Sequence, residues 1–181
     1  MTDKRRVLAE CLRKAISEAK PHLVAEEYSE ESLKKWGQVS TIARDVAVEA
    51  QIEHRFCDPD TGQREEIGYK ERPTLWCEIV SNSSEGLSAD EIDVKSYAVQ
   101  IACYFPVREE FWLKQLGDIS RKDVIFVCGE NHVESFRELL ERAGIPSEIL
   151  QRGIGVMDGD DGGYGEAKEY LKNHPEIARR C

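Results

Sequence analysis

The chain has 181 residues, of which 40% are hydrophobic and 33% are charged, so it can bury a core without cross-links and has the composition of a globular protein. Its 35 Asp and Glu residues outnumber its 25 Lys and Arg residues, and the net charge of −10 argues against nucleic acid as a partner. The sequence has neither an apolar run of membrane-spanning length nor an apolar signal core near its start, so we expect a cytoplasmic protein.

The predicted elements of the first half are, in order, a helix over residues 4–20, a strand at HLVAEE (22–27), a helix over 29–50, a strand at EHRFCD (53–58) and a polar loop over 60–72. The second half predicts an ambiguous segment over 73–82, a helix over 88–105 with a Ser88–Glu91 capping box, a helix from Val107 to near Gly117, a strand at DVIFVCG (123–129), a helix over 132–144 and a strand at SEILQR (147–152).

This alternation predicts an α/β fold: a single domain with a mainly parallel sheet of about four strands and helices on both faces. We place the α/β domain at residues 1–152, followed at 153–181 by an acidic, Gly- and Asp-rich tail that closes with a short helix. In that tail Asp158, Asp160, Gly163 and Glu169 match positions 1, 3, 6 and 12 of a calcium loop, but Gly162 replaces a ligand and an acidic loop is the simpler interpretation.

The six cysteines occur singly, with no CxxC pair. This pattern argues against a zinc site or a disulfide framework, and we expect reduced, mostly buried thiols. Cys128 is also a weak candidate for a nucleophile near His132. The cysteines are Cys11, Cys57, Cys77, Cys103, Cys128 and Cys181.

Polar groups follow three of the predicted strands. Glu26 and Glu27 end the first strand, Asp58 ends the second, and the third runs into Gly129 and His132. Ligands of open parallel sheets bind beyond the carboxyl ends of the strands, so these groups are expected at one edge. Carboxylates and an imidazole suit a divalent ion such as manganese, zinc or magnesium, or acid–base catalysis. The ordinary alternative is that they are polar loop residues, and strand alternation allows only one of Glu26 and Glu27 into a site.

The start of the helix before the third strand carries Arg108 and Glu109, with Trp112 one turn on. An arginine buried near carboxylates can bind a substrate anion through two hydrogen bonds, whereas a surface salt bridge is the ordinary alternative. The candidate residues are Glu27, Arg108 and His132 for catalysis, Arg108, Arg64 and Asn131 for substrate binding, and Glu26, Glu27, Asp58 and His132 for metal binding.

Residues 108–144, with Arg108-Glu109, Trp112-Leu113 and VIFVCGENHVESFRELLERAG, resemble the carboxyl-terminal half of TraB-like domains, in which an arginine-containing helix precedes an apolar strand and a Gly-x-x-His turn. Such domains are similar to a superfamily that includes haem-uptake ChaN proteins, erythromycin esterases and Tiki proteases. As a pattern of elements the resemblance extends over residues 22–145. It implies a metal-assisted hydrolase-like site with Gly129 and His132 in the second Gly-x-x-His motif, Arg108 as the family arginine and the early acidic pair at 26–27.

The family's first Gly-x-x-His motif has no counterpart before Pro21. This absence favours a first alternative, a non-catalytic ligand-binding or regulatory α/β module, and a phosphoesterase or nuclease that uses carboxylates alone is a second alternative. The expected substrate is a small molecule or a peptide. An exposed sheet edge, or the helix that bears Trp36, could also support a homodimer.

Overall fold

The computed structural model describes residues 3–83, 86–119, 123–154 and 162–181, and its centre is a parallel sheet. The three strands are β1 (Leu23–Glu26), β2 (Glu53–Phe56) and β3 (Val124–Val127), in the order β2-β1-β3. Val24 of β1 lies opposite His54 on one side and Ile125 on the other. The mixed α/β class, the parallel sheet and the first three predicted strands are therefore confirmed.

The helices are α1 (Asp3–Ala19), α2 (Glu30–Lys35), α3 (Ile42–Glu49), α4 (Thr61–Glu66), α5 (Arg72–Asn82), α6 (Ala89–Val99), α7 (Phe105–Leu116), α8 (Val133–Arg142) and α9 (Tyr164–Asn173). A π-helical turn (Gln100–Tyr104) joins α6 to α7, and 3-10 turns lie at Glu130–His132 and Ala178–Arg180. None of the helices in the described ranges is both long and apolar enough to cross a membrane.

Side-chain alternation in β1 separates the core beside the sheet into two clusters. Val24 packs with Ile125 and with the buried faces of α1 and α3. Leu23 and Ala25, which point the other way, pack with Trp112 of α7 and Phe136 of α8. The second cluster includes Trp112 and Leu116, so the position of α7 is fixed by a core that contains buried aromatic rings.

The single helix predicted over residues 29–50 is wrong, because two helices occupy this stretch. Gly37 has a φ of +61°, a conformation that glycine adopts at low cost, and it ends the turn after α2. Thr41 then caps α3 by accepting a hydrogen bond from the Arg44 amide. The loop predicted over 60–72 is also wrong in part, since Asp60 opens α4 with a capping box.

The sequence predicts two helices separated at Pro106, 88–105 and from Val107, but Pro106 does not break the helical path. It is the second residue of α7, and the π-helical turn directly before it carries the chain continuously from α6 into α7, so the helix changes its hydrogen-bonding pattern beside the proline instead of breaking. The ambiguous segment at 73–82 is helical and belongs to α5.

The fourth strand predicted at residues 147–152 is wrong, because this segment has no regular secondary structure. Ile149 and Leu150 are 37% and 52% exposed, so the apolar residues that suggested a strand do not enter the core. Arg152 instead forms ion pairs with Glu130 and Glu134. The segment is thus attached through charge rather than through a β-ladder.

Helix α9 packs against α6 through the fully buried Ala167, which lies with Tyr97, Ala98 and Phe105. Of the calcium-loop positions, Asp158 and Asp160 lie outside the described residues. Glu169 forms an ion pair with Lys172 at 2.6 Å.

The expectation of six reduced, mostly buried cysteines is wrong in both respects, because one pair is oxidised and only Cys57 is buried. Cys103 and Cys181, 78 residues apart in sequence, form a disulfide with Cα atoms 5.1 Å apart, inside the usual range. Of the free cysteines, Cys57 is buried and Cys77 is exposed. The long separation explains why their spacing carried no signal.

Candidate functional site

Sheet-like hydrogen bonds continue for one residue beyond β1 and for two residues beyond β2, and they position two carboxylates. The Glu27 amide donates to the Val127 carbonyl at 2.8 Å, and the Asp58 amide donates to the Tyr28 carbonyl at 3.0 Å. Both backbones are therefore fixed where β1 and β2 end. The sequence placed Glu27 and Asp58 at this edge, and the structure brings them together.

Arg108 of α7 lies between these carboxylates. Its Nη1 is 2.8 Å from Glu27 Oε1 and its Nε is 2.6 Å from Asp58 Oδ1. Arg64 binds the other oxygen of Asp58 at 2.9 Å, and the Trp112 indole donates to Asp58 Oδ1 at 3.1 Å. We call Glu27, Asp58, Arg64 and Arg108 the arginine cluster.

Burial makes the charges of this cluster interdependent. The side chains of Arg108 and Asp58 are only 15% and 3% exposed. Burial alone would raise the pKa of Asp58, but the hydrogen bond and charge of Arg108, together with the Trp112 hydrogen bond and the charge of Arg64, hold that pKa below its usual range. Burial opposes the charge on Arg108, yet Glu27 and Asp58 raise its pKa above the usual value. Removing one partner would leave a buried charge uncompensated.

His132 forms a second buried pair beside the arginine cluster. Its Nδ1 is 2.8 Å from Glu109 Oε1, and the side chains are 6% and 2% exposed. Ser135 donates to the same carboxylate oxygen at 2.6 Å. An ionised carboxylate only accepts hydrogen bonds, so we assign a proton to Nδ1, which leaves Nε2 to face the arginine cluster. Nε2 is 3.5 Å from Arg108 Nη1 and 3.8 Å from Glu27 Oε1.

Two aromatic rings hold the imidazole in place. Phe105 and Trp112, both on α7, have ring centroids 3.9 Å and 4.9 Å from that of His132. Together with Glu109 they fix the ring from three directions. The orientation of His132 is therefore set by α7 as much as by its own turn.

Gly129 explains the Gly-x-x-His spacing in physical terms. Its amide donates to Glu27 Oε2 at 2.7 Å, and a Cβ built on Gly129 would lie 3.3 Å from that oxygen. The chain then makes one 3-10 turn, in which the His132 amide donates to the Gly129 carbonyl at 3.0 Å. Gly129 thus leaves room for the Glu27 carboxylate, and the 3-10 turn brings the His132 imidazole beside that same carboxylate.

Glu26 does not join this site. Strand alternation turns it to the opposite face of the sheet, where it contacts His54 Nε2 at 2.7 Å and accepts a hydrogen bond from Thr41. The four candidate metal ligands are therefore not brought together.

The remaining side chains also do not fit a divalent ion. The Arg108 guanidinium occupies the position between Glu27 and Asp58 and hydrogen-bonds to both carboxylates. Among the residues that the structure describes, no group of three or more His, Cys, Asp or Glu side chains could hold a metal ion.

Of the other substrate-binding candidates, Arg64 belongs to the arginine cluster, whereas Asn131 turns away and donates to the Tyr97 hydroxyl at 2.7 Å. Tyr69, which the sequence did not suggest, places its ring 5.7 Å from the Arg108 guanidinium carbon and 5.8 Å from that of Arg64, within the range of cation–π attraction. Burial raises the pKa of Tyr69.

The sequence drew attention to Glu109 but assigned it no role. The missed signal was its place on the apolar stripe of α7, with Phe105 four residues before it and Trp112 three residues after it. A carboxylate at such a position is buried and needs a partner. Ser135, in the first turn of α8, gave no comparable signal.

Cys128 does not fit a nucleophile. Burial, with smaller contributions from nearby carboxylates, raises its pKa to about 12. At neutral pH the side chain is thus a protonated thiol.

Two surface cavities lie away from the cluster: one of about 180 Å³ beside Glu78 and Lys95, and one of about 510 Å³ between Leu113 of α7 and Leu139 of α8. Chemically, the site combines the His132 imidazole, oriented by the Glu109 carboxylate, with the buried Arg108 guanidinium, which is paired with two carboxylates.

The comparisons with known proteins found no matching family model, curated protein or solved structure.

Proposed function

We propose that the chain is a hydrolase-like domain of the TraB and Tiki type in which His132 acts as the acid–base group. The observation that carries this proposal is the buried His132–Glu109 pair, whose second ring nitrogen faces Arg108 and Glu27. The proposed substrate is a small molecule or peptide with a group that Arg108 can bind. The proposed location is cytoplasmic.

In the proposed mechanism, His132 Nε2 takes a proton from an attacking water and later returns it to the leaving group. Glu109 holds the ring in the required tautomer and stabilises the imidazolium, as the carboxylate does in other histidine-based sites. Arg108 stabilises the negative charge that develops in the transition state, in a site where burial strengthens the interaction. Water and substrate must enter between His132 and Arg108, now 3.5 Å apart, so binding has to displace the guanidinium from Glu27.

The test is a hydrolysis screen with purified protein against fluorogenic carboxylic esters, phosphate mono- and diesters, and peptides. We expect His132→Gln to lower the rate on any substrate found by about 10²-fold or more, and Glu109→Gln to lower it as well. His174→Gln is the matched control, because that histidine lies on the surface. Equal rates in wild type and His132→Gln would contradict the proposed role of His132.

A second candidate function, a non-catalytic binding module, is supported by the pairing of Arg108 with both Glu27 and Asp58. A guanidinium that already pairs with two carboxylates fits a site that binds only an anion able to displace one of those carboxylates from Arg108. This alternative predicts saturable heat on titration with a carboxylate or phosphate ligand, loss of that heat in Arg108→Met, and no turnover. The carboxylate-only phosphoesterase has less support, because both oxygens of Asp58 are bound by arginines, and the phosphate esters in the screen test it.

A further inference from the structure

The disulfide between Cys103 and Cys181 joins two parts of the chain that differ in character. Cys103 lies within the π-helical turn that connects α6 to α7, and Cys181 follows the 3-10 turn after α9. The bond closes a loop that contains α7, β3, α8 and α9. The disulfide is connected to the candidate site because Cys103 lies in the turn that leads into α7.

The π-helical turn is the part of the backbone that sets the site-facing side of α7. π-helical turns are rare and occur frequently at functional sites. Phe105, the next residue, places its ring 3.9 Å from that of His132. At the other end of the turn, Gln100 donates to the Tyr69 hydroxyl at 3.1 Å, and Tyr69 in turn faces Arg108. A change in this turn therefore reaches both the imidazole and the guanidinium.

The C-terminal segment packs on the same turn from outside. Ala167 of α9 is fully buried among Tyr97, Ala98 and Phe105, the residue whose ring lies beside that of His132. Beyond α9, His174 stacks on Tyr170 with ring centroids 4.1 Å apart. The disulfide thus links the π-helical turn to the segment that follows α9, and the inner face of α9 itself contacts Phe105, the neighbour of His132.

We propose that the Cys103–Cys181 disulfide is a reversible thiol switch that sets the position of Phe105 against His132. In the switching step the thiolate of a dithiol reductant attacks one sulfur, the Cys103–Cys181 bond breaks, and the second reductant thiol closes the reductant's own disulfide. Two electrons and two protons pass to the protein, which leaves two free thiols. The reverse step uses a disulfide oxidant of the same class.

Reduction releases the C-terminal residues from the π-helical turn, so the turn loses its outer constraint and Phe105 and Gln100 can rearrange. The consequence for turnover rests on the proposed function, but the movement of His132 does not. The readout is therefore chosen to be independent of activity, so that a failure of the switch and a failure of the hydrolase proposal give different results.

The experiment observes the imidazole signals of the four histidines by NMR in the full chain, oxidised and then treated with dithiothreitol. A thiol titration in denaturant checks the chemistry, because cleavage raises the count from four free thiols to six. His132→Gln assigns the His132 signal. We expect reduction to shift the signals of His132 and His174 and to leave those of His22 and His54 in place.

Matched variants separate the switch from other effects of the reductant. Cys103→Ser/Cys181→Ser should show the reduced spectrum without treatment and no response to dithiothreitol, whereas Cys77→Ser should respond as the wild type does. Unchanged His22 and His54 signals show that each variant is folded. If the thiol count reaches six and the His132 signal does not move, or if six thiols are found even with excess disulfide oxidant, the proposal is overturned.

Discussion

Replacing Arg108 with methionine removes the only positive charge that contacts Glu27 and Asp58 together among the described residues, while it keeps most of the aliphatic volume. The two carboxylates stay buried, at 15% and 3% side-chain exposure. Removing one partner from a buried ion pair costs about 3–5 kcal/mol, because the other charge is left without compensation. We expect Arg108→Met to lower the free energy of unfolding at neutral pH by that amount.

The assay is urea unfolding followed by circular dichroism, with the slope checked so that a change of midpoint reports stability. Arg137→Met is the matched control. Its guanidinium is 39% exposed and pairs with Glu134 and Glu141 on the helix surface, where such pairs contribute about 0–1 kcal/mol.

A double-mutant cycle with Asp58→Asn isolates the contact itself. The two changes should be strongly non-additive, because each leaves the other group partly unpaired. If Arg108→Met costs no more than Arg137→Met, the arginine cluster is effectively solvated and the reasoning about buried charge is refuted.

Three further results are expected. Because the folded pKa of Asp58 is depressed, the unfolded chain takes up the proton first as pH falls below about 4, so the wild type should lose stability there more steeply than Asp58→Asn in acid titrations. Gly129→Ala should cost about 1 kcal/mol in urea unfolding by crowding Glu27, whereas Gly62→Ala, with a 3.6 Å contact, should not. Manganese, zinc and magnesium should leave the thermal midpoints of wild type and His132→Ala unchanged, and a wild-type rise abolished in the variant would restore the metal hypothesis.

β1 and β3 were predictable because each is a short apolar run that ends at polar residues, as in DVIFVCGEN at 123–131, whereas in EHRFCD at 53–58 only Phe56 and Cys57 are apolar. The segment at 147–152 has a similar composition but is exposed, and a short apolar run in the sequence does not show whether a neighbouring strand is available. The break in the predicted helix at 29–50 depended on the left-handed conformation of Gly37, whereas a glycine in a helical pattern is often tolerated.

At the site, the strand-end rule brought Glu27, Asp58 and His132 to one edge of the sheet, and the structure assembles them there. The rule could not state that Arg108 would fill the space between the two carboxylates, because that depends on the rotation of α7 about its axis. Nor could it decide which of two consecutive glutamates would face the cluster.

The opposite orientations of Glu26 and Glu27 limit how β1 can change in length. Glu26 and Glu27 send carboxylates to opposite faces of the sheet, one toward His54 and the other toward Arg108. Insertion or deletion of a single residue within β1 would exchange the two faces, since every side chain beyond that point would turn over. An insertion would bring Glu26 to the position of Glu27 and leave His54 without its carboxylate, whereas a deletion would bring Glu27 to the position of Glu26 and leave Arg108 without that partner. Substitution of Glu26 or Glu27 affects one neighbourhood, whereas a one-residue length change within β1 also exchanges the apolar side chains that pack on the two faces of the sheet.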